Sequence, residues 1–461
     1  IFPMPIAMGA TFDPEMTKAV GRGIASETRS LGIHEILAPN LDLAREPRWG
    51  RVEETFGEDT YLSSQMAYAI VTGEQGESLD AADTVMTEPK HYCVHGIPES
   101  GTNCSPARVG TREVETAYLP VFEAGIKKAG ACNAMASYNC IDGEAVICSD
   151  YYLRRVLKER FGLRGYVRAD FGAVNRLTHT HRIAKDNREA IRLAVTAGLD
   201  VQGFDFSCEE WENTLIDLVH SGELDESILD ESVFRILRMK FELGLFEHPY
   251  TDESAYKDII RSDKHRDISY KTAQEALVLL QNKNNLLPLS DKLSSVAVLG
   301  PSSNLQREGS YSSVPYGYHM PSIYEELKRR LPKTCHIEQA DGCGITPNDV
   351  TVIPQNWYPD GVSLEYYDND HFAGEPVGCD TSNLIKFNWI LAKPHRKLSF
   401  KGYSVRMKTT LVPQTHDFTD ADKITGRLAF TTNDTVEVYV DGIRVISSAG
   451  DKKQSLPSCD F

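Results

Sequence analysis

The sequence predicts an α/β protein. It opens with a (β/α) barrel of the TIM type, incomplete at its N-terminus, and continues into a second α/β unit and then an all-β module. Three observations carry this reading. Short apolar strands alternate with amphipathic helices over residues 1–243, joined by short loops, which is the pattern of a parallel sheet covered by helices. The number of strand–helix units suits a barrel better than a small open sheet, yet falls short of a full eight. From residue 355 the hydrophobic period changes from helical to two, as in half-buried antiparallel strands.

Each element has a local reason. Asp13-Pro14 is a helix start, and Ala19, Val20, Ile24, Thr28 and Leu31 share one face, predicting a helix over Glu15–Leu31. Ile36–Pro39 reads as a strand and Thr60–Thr72 as a helix. Thr84–Thr87 is a strand running into Pro89-Lys90-His91. A helix over Thr111–Lys128, a strand over Ala134–Tyr138 and a helix over Tyr151–Phe161 follow. Tyr166–Ala169 is the next strand, Arg188–Ala197 a helix and Leu199–Val201 a strand. Helices over Glu209–Ser221 and Glu226–Leu243 complete the first domain.

Residues 244–262, with Gly244, Pro249 and many polar side chains, read as a linker. A helix over Asp263–Leu280 and a strand over Val296–Leu299, turning at Gly300-Pro301, begin the second domain, taken as 263–354. Gly300-Pro-Ser-Ser lacks the spacing of a dinucleotide fingerprint. Residues 355–461 form the all-β module, on stretches such as Ser363-Leu-Glu-Tyr-Tyr, Lys423-Ile-Thr-Gly-Arg-Leu-Ala-Phe and Val436-Glu-Val-Tyr-Val with the turn pair Asp441-Gly442.

Composition narrows the function. The chain has 461 residues, 41% hydrophobic and 25% charged, with net charge −17. That balance argues against nucleic acid, whose phosphates demand a Lys/Arg surplus. No apolar run approaches the roughly 18 residues of a membrane span. Ten cysteines include no CxxC pair, so no disulfide framework or zinc motif is legible. His91, Cys93, His95 and Cys104 match no zinc spacing. Both ends look cut, from Ile1-Phe-Pro to Cys459-Asp-Phe, and localisation stays open between secreted and cytoplasmic.

The chemistry is expected at the predicted strand ends. The first offers Asn40, Asp42 and Arg45, the next Lys90 and His91, the third Ser137, Tyr138 and Asn139, and the fourth Asp170. In a barrel, the C-terminal ends of strands carry the active site. Cations, imidazole, phenol and carboxylate together suit a polyhydroxyl pocket. Gly172 permits a turn directly after Asp170. On that stretch alone, a turn aspartate capping the next element competes with a catalytic one. Arg48, Arg51 and Glu54 read as a structural ion-pair network.

The stretch Pro39-Asn-Leu-Asp-Leu-Ala-Arg-Glu-Pro-Arg-Trp-Gly-Arg-Val-Glu-Glu-Thr-Phe-Gly-Glu-Asp59 resembles the signature of glycoside hydrolase family 3, which holds β-glucosidases and β-xylosidases. Lys90-His91, Met135-Ala-Ser-Tyr-Asn139 with Asp142-Gly143, Val167-Arg-Ala-Asp-Phe-Gly-Ala173 and Lys240-Phe-Glu-Leu-Gly-Leu-Phe246 are similar to its further motifs, in order. Ala276-Leu-Val-Leu-Leu-Gln-Asn282 with Leu286-Leu-Pro-Leu289 resembles the start of the family's second, α/β sandwich domain. Residues 355–461 look like the protective-antigen-type β-sandwich that some members carry inserted there.

The resemblance implies a retaining exo-β-glycosidase, foremost a β-glucosidase, with β-xylosidase and an inactive glycan-binding protein as alternatives. Asp170 would be the nucleophile. Arg45, Lys90 and His91 would hold sugar hydroxyls, Tyr138 would lie against Asp170, and Met135 and Phe171 would line the wall. The substrate would be a β-linked oligosaccharide or an aryl or alkyl glycoside. No cofactor, metal, nucleic-acid or membrane partner is implied, and homo-oligomers are compatible with the sequence. Such enzymes pair the nucleophile with a second carboxyl group roughly 5–5.5 Å away. In the family that acid/base glutamate follows the inserted sandwich, so no residue here is assigned to it. Ala169-Asp170-Phe171 departs from the family's usual Ser-Asp-Trp. Weak activity or none is expected of the 461 residues alone.

Overall fold

The structure is a computed structural model. It describes residues 2–290, 292–304, 309, 311–312, 320–343, 353, 355–383, 385, 393–399, 402–412, 427–429, 435–448 and 458–460. Contacts divide the chain into two units. One comprises Ile1–Ser294, Gln306–Pro321 and Arg330–Cys335, the other Ser295–Leu305, Ser322–Arg329 and His336–Phe461.

In the first unit, strands follow one another in chain order. Glu35–Ile36 pairs in parallel with Met86–Thr87. The isolated bridges Asn40↔Lys90 and Tyr92↔Ala136 extend this array. Ala134–Ala136 pairs in parallel with Val167–Ala169, and Arg168 bridges Val201. Sequential, all-parallel neighbours require a helical crossover between each pair. The helices predicted for that role are present: Pro14–Ser30, Thr60–Gln75, Asn187–Thr196, Cys208–His220 and Glu226–Glu242.

Their N-termini are set by side-chain caps. Asp13 accepts from the Met16 backbone N–H at 3.0 Å and Asp59 from that of Leu62 at 2.7 Å. Asp186, Ser207 and Asp225 act in the same way, each satisfying a donor the helix leaves orphaned. The helix predicted over 111–128 forms, with wider π-type turns at Val114–Tyr118 and Ala124–Lys128 around Leu119–Glu123. Pro120 lies between them and lacks the N–H a regular turn uses. The core beneath these helices includes Val20, Met66, Tyr92, Phe122, Leu153 and Val167, all buried.

Two expectations shift. The helix predicted over Asp263–Leu280 stops at Glu275, leaving Leu277, Val278, Leu279 and Leu280 exposed. That helix, expected to open the second domain, belongs to the first unit, where its His265 Nδ1 lies 2.9 Å from Glu27.

In the second unit, Ser295–Leu299 pairs in parallel with His336–Ala340. Val362–Tyr367 lies between Gly378–Ser382 and Ser404–Lys408 in an antiparallel sheet. Its alternate residues Val362, Leu364 and Tyr366 are buried with Tyr358 and Leu398, as the period-two pattern requires. Val436–Val440 and Ile443–Ser448 form a hairpin turning at Asp441-Gly442. Residues 423–426 and 430 of the Lys423 stretch lie outside the described residues.

Candidate active site

The site grows from the strand Val167–Ala169. Buried Val167 and Ala169 fix its register beside Ala134–Ala136, and Asp170 follows as the strand ends. The chain then turns at Gly172, φ +79°, whose N–H donates to Gly203 O at 2.8 Å. Gly203 must be glycine: a Cβ there would stand 2.4 Å from Ala169 O and 2.8 Å from Asp170 O. The backbone at 203 thus packs directly against that of Asp170.

The two carboxylate oxygens of Asp170 differ. Oδ1 accepts the Tyr138 hydroxyl at 2.8 Å and the Phe171 N–H at 2.7 Å. Oδ2 lies 3.5 Å from His91 Nε2 and has no hydrogen bond among the described residues. Tyr138 OH also meets Phe171 O at 3.0 Å. Tyr138 is placed by the strand end after Ala136, and Arg176 sits 4.8 Å from its ring centroid.

Lys90 and His91 come from the neighbouring strand end. His91 is buried; its Nδ1 is 2.7 Å from Asp42 Oδ2 and its Nε2 is 2.9 Å from Arg51 Nη2. A guanidinium only donates, so Nε2 is the bare nitrogen and Nδ1–H donates to Asp42. His91 is thus neutral, in keeping with burial and the Arg51 and Lys90 charges, which hold it well below the usual histidine range. Arg51 is in turn clamped by Glu54, Nε to Oε1 at 2.7 Å and Nη2 to Oε2 at 2.9 Å. Tyr311 covers both cations, its ring centroid 4.9 Å from Lys90 Nζ and 5.9 Å from the Arg51 guanidinium carbon.

Burial sets the electrostatics. It raises the Asp170 carboxyl above its ordinary range, although Tyr138, the Phe171 N–H, Arg51 and Lys90 all oppose it. Desolvation outweighs the donors and the nearby cations. Burial lifts Asp42 to about 6 and lowers Lys90. Burial would also raise Glu54, but the bidentate bond and charge of Arg51 leave it below the ordinary range.

One sequence expectation is corrected. Arg45 does not join the others: it bonds Glu58 O, Thr60 Oγ1 and Glu113, and its guanidinium lies over Tyr118. The turn between Arg45 and Arg51 separates the two, and Arg51, read as part of a structural ion pair, is the arginine beside His91. It is both at once. Phe171 is half-exposed and packs edge-on against Phe204, ring centroids 5.0 Å apart. Met135 is buried and paired in register with Arg168. Arg51, Glu54 and Tyr311 were missed as site members, and Asp42 was named at its strand end without a role. For Asp42 the signal was present, since it follows the first strand; Tyr311 is too distant in sequence to leave one.

The site thus holds a deep carboxylate gripped on one oxygen, with a lysine, an arginine and a neutral imidazole around it. The description "Glycosyl hydrolase family 3 N terminal domain" matches residues 1–239, and that of the family's C-terminal domain matches residues 277–445. The chain belongs to glycosyl hydrolase family 3. It is 31% identical over 372 residues to the periplasmic β-glucosidase of Salmonella typhimurium, covering 79% of this chain and 48% of that protein. It is equally 31% identical over 381 residues to a β-xylosidase of Formosa agariphila, covering 79% and 52%. Among solved structures, it resembles a β-glucosidase of Erythrobacter marinus with TM-score 0.70 and 34% identity, covering 75% of this chain and 46% of that one. The chain therefore spans about half the length of the family members it matches.

Within this family 3 chain, other carboxyls around Asp170 have partners, although Asp42 Oδ1 makes no hydrogen bond among the described residues. Asp42 faces His91, Glu54 grips Arg51, and the Asp205 oxygens accept the backbone N–H groups of Asn175 and Gly203. Among the described residues, no three of His, Cys, Asp or Glu gather as a metal site.

Proposed function

We propose that the protein is a retaining exo-β-glycosidase that releases terminal β-D-glucose, with Asp170 as nucleophile. The observation that carries this is the asymmetry of its carboxylate. Two donors hold Oδ1, while Oδ2, facing Lys90, His91 and Arg51, has no hydrogen bond among the described residues. In the first step Oδ2 bonds the anomeric carbon as the glycosidic bond breaks, and the leaving oxygen takes a proton from a general acid. Water then cleaves the glycosyl ester. Glu54 and Asp205 are held through both oxygens and Asp42 through Oδ2 to His91, and the proton donor is assigned to none of them. Lys90, Arg51 and His91 bind the sugar hydroxyls, and Phe171 and Met135 form the wall. The parallel array is read as part of a (β/α) barrel wall, and residues 355–461 as a sandwich inserted in the second domain.

Support for a glucoside comes from relatives: the similar β-glucosidase of Listeria innocua, 30% identical, has been crystallised with glucose and with laminaribiose. A β-xylosidase reading is favoured equally by the Formosa agariphila relative. Aryl glucoside and aryl xyloside turnover measured side by side in the complete protein separates the two. Asp170→Asn abolishes turnover with the fold retained; near-normal activity would sink the assignment. Burial raises the Asp170 carboxyl, so its ionised form costs stability above that raised value. The Asn variant therefore melts no lower than the parent at neutral pH.

A further inference from the structure

His95 makes no hydrogen bond with Asp170, yet it packs on both side chains that approach the carboxylate. Its ring centroid lies 4.8 Å from that of His91 and 5.8 Å from that of Tyr138. A third ring, buried Trp49, meets it edge-on at 5.4 Å and is itself held through Nε1 to Asn103 Oδ1 at 2.9 Å. His95 is fully buried. Two of its three neighbours carry the contacts to the nucleophile, His91 Nε2 toward Oδ2 and Tyr138 OH on Oδ1.

The backbone that presents His95 is strained. Val94 has φ +63°, a conformation a β-branched residue rarely adopts. Such strain persists where the surroundings impose it, and it clusters at functional sites. Here the surroundings are the two residues that flank Tyr138. Asn139 Nδ2 donates to the carbonyls of Val94 and Cys93 at 3.2 and 3.5 Å, and Ser137 Oγ to that of Cys93 at 3.4 Å. The turn bearing His95 and the strand end bearing Tyr138 are thus tied together, with the imidazole wedged between Tyr138 and His91. Burial pushes His95 down to about 3, so the wedge is uncharged across the neutral range.

We propose that His95 is a positioning residue: its ring sets the separation at which His91 and Tyr138 meet the two oxygens of Asp170. This rests on the reading of Asp170 as nucleophile. The test uses the complete protein and a 2-deoxy-2-fluoro-β-glucosyl fluoride. The Asp170 carboxylate bonds the anomeric carbon, the C–F bond breaks and fluoride leaves, so no proton donor is needed and the adduct is read by mass. His95→Ala should slow labelling at saturating probe by about 10- to 100-fold, the scale of an ångström-sized misplacement, while the half-saturating concentration changes little. His95→Phe, which keeps a ring, should restore most of the rate and supplies the folded comparison if the Ala variant does not fold. Labelling of His95→Ala at the parent rate overturns the proposal, as does a folded His95→Phe that labels no faster than the Ala variant. Crystal structures of the parent and of both variants add an independent arm. The Tyr138–Asp170 bond should be lost in the Ala variant and kept in the Phe variant; both distances to Asp170 unchanged in His95→Ala would refute the role. If the parent takes no label, the glycosidase reading fails, and the crystallographic distances still decide the positioning role.

Discussion

Removing one hydroxyl group tests the electrostatic account of the proposed nucleophile. In Tyr138→Phe, Oδ1 of Asp170 keeps the Phe171 N–H at 2.7 Å and loses the phenol donor at 2.8 Å. A hydrogen bond to a charged group is worth about 1.5–3 kcal/mol, or about 10- to 100-fold in the equilibrium between ionised and protonated carboxyl. The sign follows from the direction of the shift. Burial already holds this carboxyl above its ordinary range, and loss of a donor to the charged form raises it further. Labelling by the fluoro-sugar requires the ionised form, so its rate climbs as pH rises through that value. The climb should move to higher pH in the variant. The deficit should be about 10- to 100-fold on the acid side and shrink toward alkaline pH, where both proteins are ionised. The assay is the rate of adduct formation on the Asp170 peptide across pH. A deficit of equal size at every pH would mean that the hydroxyl acts through geometry alone and would refute the ionisation argument.

Three further outcomes follow from the same contacts. Arg51→Met leaves Glu54 buried without its partner, costs roughly 3–5 kcal/mol in unfolding experiments and abolishes labelling, whereas Arg45→Met, on a partly exposed pair, should leave both near the parent. Glu54→Gln should destabilise more at pH 7 than at pH 4. The folded carboxyl titrates below its ordinary value, so its contribution is present above that value and is lost as pH falls through the folded one. Gly203→Ala forces a methyl against Ala169 O and Asp170 O; an overpacking cost of about 1–3 kcal/mol, with slowed labelling, is the expected result, and an unchanged melting temperature would show that the turn yields freely.

Much of the helix framework was legible locally. Asp13-Pro14, Asp59 and Asp225 set helix starts through bonds to residues two or three positions away, so sequence spacing suffices to find them. The placement of Asp170 at a strand end was equally local, because Val167 and Ala169 bury on one side while Gly172 allows the turn. The end of the helix at Glu275 was not legible: the apolar run Leu277–Leu280 continues the composition but not the structure.

By itself the sequence determined the α/β class, the order of the strands and the place of Asp170 at a strand end, because alternation, capping and turn chemistry act over a few residues; its role as nucleophile was implied by the family resemblance. Only the tertiary structure decided which arginine meets His91. Arg45 and Arg51 are alike in composition and close in sequence, and the turn between them sends one to Glu113 and the other to Glu54 and His91. The same holds for His95, whose role depends on rings contributed by Trp49, His91 and Tyr138. Contacts between segments far apart in the chain leave no periodicity to read, and the ionisation of Asp170 depends on how deeply all of them bury it.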